Sequence, residues 1–120
     1  MTYDASNVFA KILRGELPCK KVYEDDCALS FHDINPKAPV HVLVIPKGAY
    51  ESFHAFLATA GKEAIAGFFK AVDQVLALLN LEESKGYRII VNNGVHAGME
   101  VPHFHLHILS GKSLGPMLAV

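Results

Sequence analysis

The stretch Pro102-His103-Phe104-His105-Leu106-His107-Ile108-Leu109 carries the clearest signal for the fold of this chain. Side chains of a β-strand alternate between the two faces of a sheet, so a strand over residues 103–109 presents its three imidazoles on one face. Phe104, Leu106 and Ile108 then point to the opposite face. The pattern therefore predicts a strand with an apolar core on one side and a row of histidines on the other.

A row of histidines on a strand is compatible with three kinds of chemistry. The first is a solvent-facing polar row, although an exposed strand face does not require imidazole three times. The second is a zinc site, because His-x-His on a strand presents two nitrogen ligands. Cys19 and Cys27 are candidates for further ligands, but they lie eight residues apart and form no Cys-x₂-Cys pair. The third is phosphoryl or nucleotidyl transfer, with one neutral imidazole attacking phosphorus and its neighbours donating to the phosphate oxygens. The residues favour phosphoryl or nucleotidyl transfer, but they do not exclude the polar row or the zinc site.

The composition narrows the possible partners. The chain has 120 residues, of which 51% are hydrophobic and 19% charged, and its formal net charge is −1. These values predict one globular domain over residues 1–120. A near-zero net charge argues against nucleic acid as a main partner, and no stretch is long and apolar enough to suggest a membrane span. Residues 1–12 lack the basic and apolar regions of a secretory signal, so we expect a cytoplasmic protein.

Five strands are predicted from short apolar and β-branched runs that turn signals separate. They cover residues 20–24, 27–32, 40–45, 87–92 and 103–109. An acidic turn joins the first two into a hairpin. The third is hydrophobic on both sides and ends at Pro46, which predicts a buried, central strand.

The helices are predicted from caps and apolar spacing. Ser6 or Asn7 caps a short helix that stops at Gly15, and Ser52 caps a single turn.

Thr59 is expected to cap a longer helix that runs to Leu79 or Asn80. Its apolar stripe comprises Ile65, Phe68, Phe69, Val72, Leu76 and Leu79. Hairpins joined by one long helix, rather than alternating βαβ units, predict an α+β fold. In that fold a five-stranded antiparallel sheet carries the helix on one face.

The triad and segments along nearly the whole chain resemble one known family. Residues 103–109 match the His-φ-His-φ-His-φ-φ signature, with φ apolar, of the histidine-triad (HIT) superfamily. The further matching segments are Val8-Phe9-Ala10-Lys11-Ile12, Val22-Tyr23-Glu24-Asp25-Asp26, Phe31-His32-Asp33-Ile34, Leu43-Val44-Ile45-Pro46-Lys47 and Leu114-Gly115-Pro116-Met117-Leu118. Together they resemble the HINT branch of bacterial type, the histidine-triad nucleotide-binding proteins.

This resemblance implies a HIT-like fold with one long and one short helix, and a purine nucleoside phosphoramidase that needs no cofactor. It also implies a homodimer in which two sheets join into one of ten strands. The long helix and fourth strand would lie at the interface. The tail 114–120 would reach toward the partner's active site.

The resemblance also implies catalytic roles for four histidines. His105, the middle residue of the triad, would be the nucleophile that takes the AMP moiety. His107 would contact the phosphate and the leaving group, and His103 would support the array from behind. His41 would lie near His103 within a hydrogen-bond relay.

The nucleotide pocket is implied in the same way. Asp33 would accept both ribose hydroxyls and Ile34 would cover one side of the purine, although Asp33 alone is equally typical of a turn residue that bonds nearby backbone. The remaining implied contacts to the nucleotide are Phe31, His32, Val8, Phe9, Ile12, Leu17 and Leu43.

A phosphate-side loop is implied at Asn92, Gly98, Met99 and Glu100. Met99 departs from the family's hydrogen-bonding Gln, because a thioether cannot donate a hydrogen bond. Asn7 and Ala10 stand where some bacterial relatives carry a Cys-x₂-Cys zinc pair, so we expect no structural zinc.

The expected function is therefore hydrolysis of purine nucleoside 5′-phosphoramidates, or related AMP adducts, through a nucleotidyl-histidine intermediate. Two alternatives remain. One is a non-catalytic nucleotide-binding interaction module, and the other is a zinc-dependent hydrolase.

Overall fold

Five strands form a single antiparallel sheet in the computed structural model, which describes residues 3–119. The helices are α1 (Val8–Leu13), α2 (Phe53–Thr59) and α3 (Lys62–Leu78). The strands are β1 (Lys21–Glu24), β2 (Ala28–His32), β3 (Val40–Pro46), β4 (Tyr87–Ile90) and β5 (Leu106–Ser110). They pair in the order β1-β2-β3-β5-β4 with every neighbour antiparallel. The predicted α+β fold and the predicted β1–β2 hairpin are confirmed.

β3 is the central strand, as its two-sided hydrophobicity predicted. Val42 and Val44 belong to one apolar cluster, and Leu43 and Ile45 belong to another on the opposite face. A strand that is buried on both sides reads as a continuous apolar run rather than an alternating one.

Helices α2 and α3 cover one face of the sheet. Phe56 of α2, Phe68 of α3 and Phe104 pack together with ring centroids 5.0 to 5.3 Å apart. Phe69 was predicted for the buried stripe but is 42% exposed, because it lies at the flank of the helix face that centres on Phe68 and Val72. Within residues 3–119, no helix is long and apolar enough to cross a membrane.

Helix α1 packs on the opposite face. The backbone N–H of Ala10 donates to Asn7 Oδ1 at 2.9 Å, so Asn7 is the cap rather than Ser6. The predicted stop at Gly15 is confirmed, since this residue has φ +78° and the N–H of Glu16 reaches back to the carbonyl of Lys11.

One predicted cap, one helix length and one strand end differ from the structure. Ser52 caps α2, but that helix has seven residues rather than a single turn. Thr59 is its last residue and donates its hydroxyl to the carbonyl of Ala55, so the N-cap of α3 is Gly61. β4 ends at Ile90 rather than at residue 92, because Ile90 already pairs with His107 near the start of β5.

The fifth strand also begins later than predicted, at Leu106 rather than His103. The backbone N–H of Phe104 donates to the carbonyl of Tyr50, and the ring of His103 donates to the carbonyl of Pro46. Residues 103–105 therefore do not pair with β3 in the sheet. Alternation nevertheless persists through this lead-in. Phe104 and Leu106 both lie in the core under α3.

Candidate active site

A pocket of about 560 Å³ opens on the face of the sheet that α1 partly covers. This volume lies in the range of small-molecule sites. The predicted residues that line the pocket are Val8, Phe9, Ile12, Phe31, Asp33, Ile34, His41, Leu43, Asn92, Gly98, Met99, Glu100, His105 and His107. Strand parity brings the β2, β3 and β5 side chains together there, and loops after β2 and before β5 form the walls.

His105 is held in one tautomer by the backbone. Its Nδ1 lies 2.7 Å from the carbonyl oxygen of His103. A carbonyl only accepts, so Nδ1 carries the proton and Nε2 keeps a free lone pair in the neutral ring. Burial lowers the pKa of His105, and Phe9 packs against it with centroids 4.9 Å apart. His105 is therefore a neutral nitrogen base at pH 7.

A second backbone anchor sets the protons of His41 and His107. The N–H of Lys37 donates to His41 Nδ1 at 3.0 Å, so the proton of His41 is on Nε2. That proton is donated to His107 Nδ1 at 2.9 Å, which leaves the proton of His107 on Nε2. His107 is thus a hydrogen-bond donor beside His105, with ring centroids 5.1 Å apart.

The electrostatics favour the neutral form of both rings. Burial is the main cause that lowers the pKa of His107 to about 4, and the neighbouring His105 and His41 add to it. Burial also lowers the pKa of His41, against the opposing effect of Asp33, whose Oδ2 lies 3.4 Å from His41 Nε2.

The prediction that His41 lies near His103 is wrong. In the β3–β5 register His41 pairs with Leu109, which puts its ring next to His107. His103 contacts Pro46 at the other end of β3.

His103 lies behind the pocket and does not line it. Its side chain is fully buried, its Nε2 donates to the carbonyl of Pro46 at 3.0 Å, and its Nδ1 accepts from the hydroxyl of Tyr3 at 2.6 Å. Burial lowers the pKa of His103 to about 4. Its carbonyl is the group that orients His105.

Asp33 sits in a turn and also lines the pocket. Its Oδ1 accepts the backbone N–H of Asn35 at 2.8 Å, as in a turn. A carboxylate offers about four lone-pair sites, so the turn leaves acceptor capacity facing the pocket.

Two implied nucleotide contacts are not brought to the pocket. His32 is exposed because it follows Phe31, whose side chain takes the pocket side of β2. Leu17 lies 38% exposed in the loop after α1.

Sequence reasoning also missed several lining residues, namely Asn35, Lys37, Ile90, Val101 and Leu109. Ile90 and Leu109 share the sheet face of His107, so strand parity was the signal that could have found them. Lys37 contributes to the site through its backbone N–H, which has no sequence signature.

The site has the donors for a divalent cation. One ligand atom from each of Asp33, His41 and His107 lies within 4.8 Å of the others, and neither cysteine belongs to this group among residues 3–119. A metal there would have to displace the proton that His41 shares with His107. Cys27 instead packs its Sγ against Gly67 of α3, where a Cβ would lie 2.3 Å away.

A five-stranded antiparallel sheet with a histidine triad beside a pocket is typical of histidine-triad proteins. Comparisons with known proteins give the same family. The chain belongs to the HIT family, whose domain model matches residues 14–114. A 13.2 kDa HIT-like protein of Azospirillum brasilense is 56% identical over 117 residues, covering 98% of this chain and 95% of the relative.

Two further relatives connect the chain to a named enzyme and to a solved structure. The purine nucleoside phosphoramidase of Escherichia coli K12 is 38% identical over 112 residues, covering 93% of this chain and 92% of the relative. The structure of a histidine triad protein from Clostridium difficile aligns with a TM-score of 0.83 at 35% identity, covering 98% of this chain and 100% of that one.

Proposed function

We propose that this protein hydrolyses purine nucleoside 5′-phosphoramidates and related AMP adducts through a nucleotidyl-His105 intermediate. The observation that carries the proposal is the pairing of two complementary imidazoles. His105 has a free Nε2 lone pair and His107 has a free Nε2–H, and each state follows from a backbone anchor. The name of the Escherichia coli relative supports the same substrate class.

In the first step, Nε2 of His105 attacks the α-phosphorus and the bond from phosphorus to the amine nitrogen breaks. The departing nitrogen takes a proton from solvent through the open mouth of the pocket and leaves as the amine. Nδ1 of His105 keeps its own proton on the carbonyl of His103, which stabilises the imidazolium that forms. The Nε2–H of His107 donates to a phosphate oxygen.

In the second step, water attacks the same phosphorus and the bond to His105 Nε2 breaks. The water proton returns to solvent, so AMP is released and His105 regains its neutral form. Splitting one displacement at a charged phosphorus into two steps is the advantage of covalent catalysis. The lowered pKa of His105 keeps the leaving imidazole neutral at pH 7.

The rest of the pocket supports a nucleoside monophosphate. Asp33 would accept the ribose hydroxyls, and the apolar side chains of Val8, Ile12 and Ile34 would hold the purine. Ile34 is 99% exposed, so a base is the partner that would cover it. Met99 would line the phosphate side without a donor, and the amide of Asn92 would be available to donate there.

We also propose that the protein is a homodimer joined along β4. The two edges of the sheet differ. β1 carries a bulge and the charged residues Lys21 and Glu24, which protect an edge against pairing. β4 exposes Tyr87 and Ile89, each 42% accessible, and a two-fold partner strand would cover them. Light scattering at micromolar concentration should give roughly twice the chain mass of 13.1 kDa. A single-chain mass with full activity would contradict the dimer.

The decisive experiment is turnover of an AMP phosphoramidate with EDTA present, followed by mass spectrometry of protein quenched early. Hydrolysis under EDTA, with protein that carries an added AMP, is the expected result. Loss of activity with EDTA and its return with zinc would favour a metal-dependent hydrolase at Asp33, His41 and His107. AMP binding without turnover would favour an interaction module.

A further inference from the structure

A partly buried chain of hydrogen bonds runs from the start of α1 to the back of the catalytic histidines. Asn7 Nδ2 donates to the hydroxyl oxygen of Tyr3 at 2.9 Å, and that hydroxyl lies 2.6 Å from His103 Nδ1. The other side of the His103 ring meets the carbonyl of Pro46. Neither Tyr3 nor Asn7 lines the pocket.

The groups at the two ends of this series of hydrogen bonds, the Pro46 carbonyl and the Asn7 amide, fix which partner donates in each bond. The Pro46 carbonyl can only accept, so His103 carries its proton on Nε2 and its Nδ1 must accept. The Tyr3 hydroxyl therefore donates to His103 and accepts from the Asn7 amide. Asn7 is itself anchored at both ends of its amide, because its Oδ1 caps α1 through Ala10 and its Nδ2 also donates to the carbonyl of Asp4 at 2.7 Å.

These hydrogen bonds hold residues 103–105, which are the part of the triad that does not pair within the sheet. β5 begins at Leu106, so the backbone of residues 103–105 lacks the strand pairing that fixes His107. The carbonyl of His103 is nevertheless the acceptor that sets the tautomer of His105. The place of that carbonyl therefore depends on how the His103 side chain is anchored.

We propose that Tyr3 and Asn7 are positioning residues that act through His103 to hold the nucleophile His105 in its reactive tautomer and orientation. The inference rests on the proposed role of His105 in hydrolysis. Tyr3 touches no part of the pocket, so its effect should fall on the reaction rate and not on nucleotide affinity. A hydroxyl that only stabilised the fold would instead lower the melting midpoint and leave the kcat of the folded protein unchanged.

Tyr3→Phe is the primary test, because it removes only the hydroxyl and keeps the ring that packs edge-on against His103. We expect kcat to fall about tenfold with KM and AMP affinity unchanged, as when an interaction with the reacting geometry alone is lost. Tyr23→Phe is the matched control. It removes a tyrosine hydroxyl that bonds Asp25 at 2.9 Å and does not line the pocket, and it should leave kcat at the wild-type value.

Asn7→Asp tests the same chain from its other end. Asp preserves the helix cap, since it accepts the Ala10 N–H as well as Asn does. It removes the donor to Tyr3 and offers the hydroxyl a competing acceptor, so the bond to His103 weakens. We expect a loss in kcat similar to that of Tyr3→Phe. The double variant should lose little more kcat than either single one, because both changes reach His105 through the bond between Tyr3 and His103.

Nitrogen NMR of the imidazole rings supplies a readout that needs no turnover. The His105 signals should show one Nδ1–H tautomer in the wild type and a mixture or exchange broadening in Tyr3→Phe. If wild-type protein does not hydrolyse the substrate, the proposed function fails but these spectra still decide the positioning role. An unchanged His105 spectrum in Tyr3→Phe would overturn it.

The kinetic outcomes divide equally cleanly. A kcat for Tyr3→Phe within twofold of the wild type would overturn the proposal. So would a loss that disappears at lower temperature together with a lowered melting midpoint, since that pattern belongs to a structural role. A tenfold loss in kcat at unchanged KM and unchanged melting, absent in Tyr23→Phe, is the result that supports it.

Discussion

The two faces of β5 and its lead-in show how one short segment serves both the core and the site. Phe104, Leu106 and Ile108 are at most 2% exposed and pack under α2 and α3. The alternate residues His105 and His107 face a pocket of about 560 Å³. Because side chains alternate, the chemistry can vary on one face without touching the packing on the other.

The two faces also differ in how the stability of each depends on pH. The Phe104 face gains free energy from apolar burial, whereas burying His103 and His107 lowers the pKa of each to about 4. Between about pH 4 and pH 6.5, imidazoles that would gain a proton in water are therefore kept neutral by the fold. The face that carries the histidines therefore loses stability as the medium becomes acidic, and the core face does not.

The largest expected effect comes from the pocket face, at His105. His105→Asn should lower kcat for an AMP phosphoramidate by about four orders of magnitude or more, because it removes the proposed nucleophile. AMP binding should persist, since Asp33 and the apolar walls are unchanged, and the urea midpoint should shift little. Isothermal titration, steady-state kinetics and urea unfolding separate the three quantities. Near-full activity in this variant would contradict covalent catalysis at His105.

The adjacent residue should give the opposite result. Phe104→Ala opens a cavity among Phe56 and Phe68, and we expect a loss of about 3–5 kcal/mol in the free energy of unfolding. The fraction that remains folded should keep its AMP affinity. Urea unfolding measures the loss. A change under about 1 kcal/mol would mean that the two faces do not divide packing from chemistry in this way.

The sequence predicted the strands and the two faces because period-two alternation is a local property. It placed β3 at the centre and Gly15 at the end of α1, where a continuous apolar run and a left-handed residue leave a direct signature. It missed the late start of β5, because the bonds that pull residues 103–105 away go to Tyr50 and Pro46, which are remote in the sequence.

The site was predictable as a set of residue types but not as a network. The triad and Asp33 stood out, and the resemblance supplied the pocket walls. The partner of His41 was wrongly inferred, since it depends on the β3–β5 register. The anchoring N–H of Lys37 and the hydroxyl of Tyr3 carry no pattern, because backbone donors are present at nearly every residue and a lone tyrosine has no spacing.

The pH dependence of the free energy of unfolding also distinguishes the histidine face from the core face, and its expected effect is smaller than those of His105→Asn and Phe104→Ala. His103 has a pKa of about 4 in the fold against about 6.5 in an unfolded chain. Between these values the unfolded chain binds a proton that the folded chain does not, so acidification favours unfolding. His103 alone should remove about 2 kcal/mol between pH 7 and pH 5.

Urea unfolding across this pH range tests the expectation. The loss should be reduced in His103→Gln and retained in His96→Gln, whose histidine is exposed in the loop before β5. Equal slopes in the two variants would assign the acid sensitivity to other groups.

Ribose recognition gives the smallest expected effect and tests whether the pocket face reads more than the phosphate. Asp33 already uses Oδ1 for the Asn35 N–H, so a ribose hydroxyl has to bond the remaining lone pairs. A 2′-deoxy substrate lacks one hydroxyl donor, so the Asp33 carboxylate is left with an unsatisfied acceptor in a partly desolvated pocket. We expect kcat/KM to fall at least tenfold, or about 1.4 kcal/mol, relative to the ribo substrate.

Asp33→Asn is the control, since its side-chain oxygen can still accept from Asn35 while the charge is lost, and it should discriminate less between the two sugars. Equal rates on both sugars with wild-type protein would assign Asp33 to the turn alone, because an acceptor that is aimed at a hydroxyl cannot be indifferent to its removal.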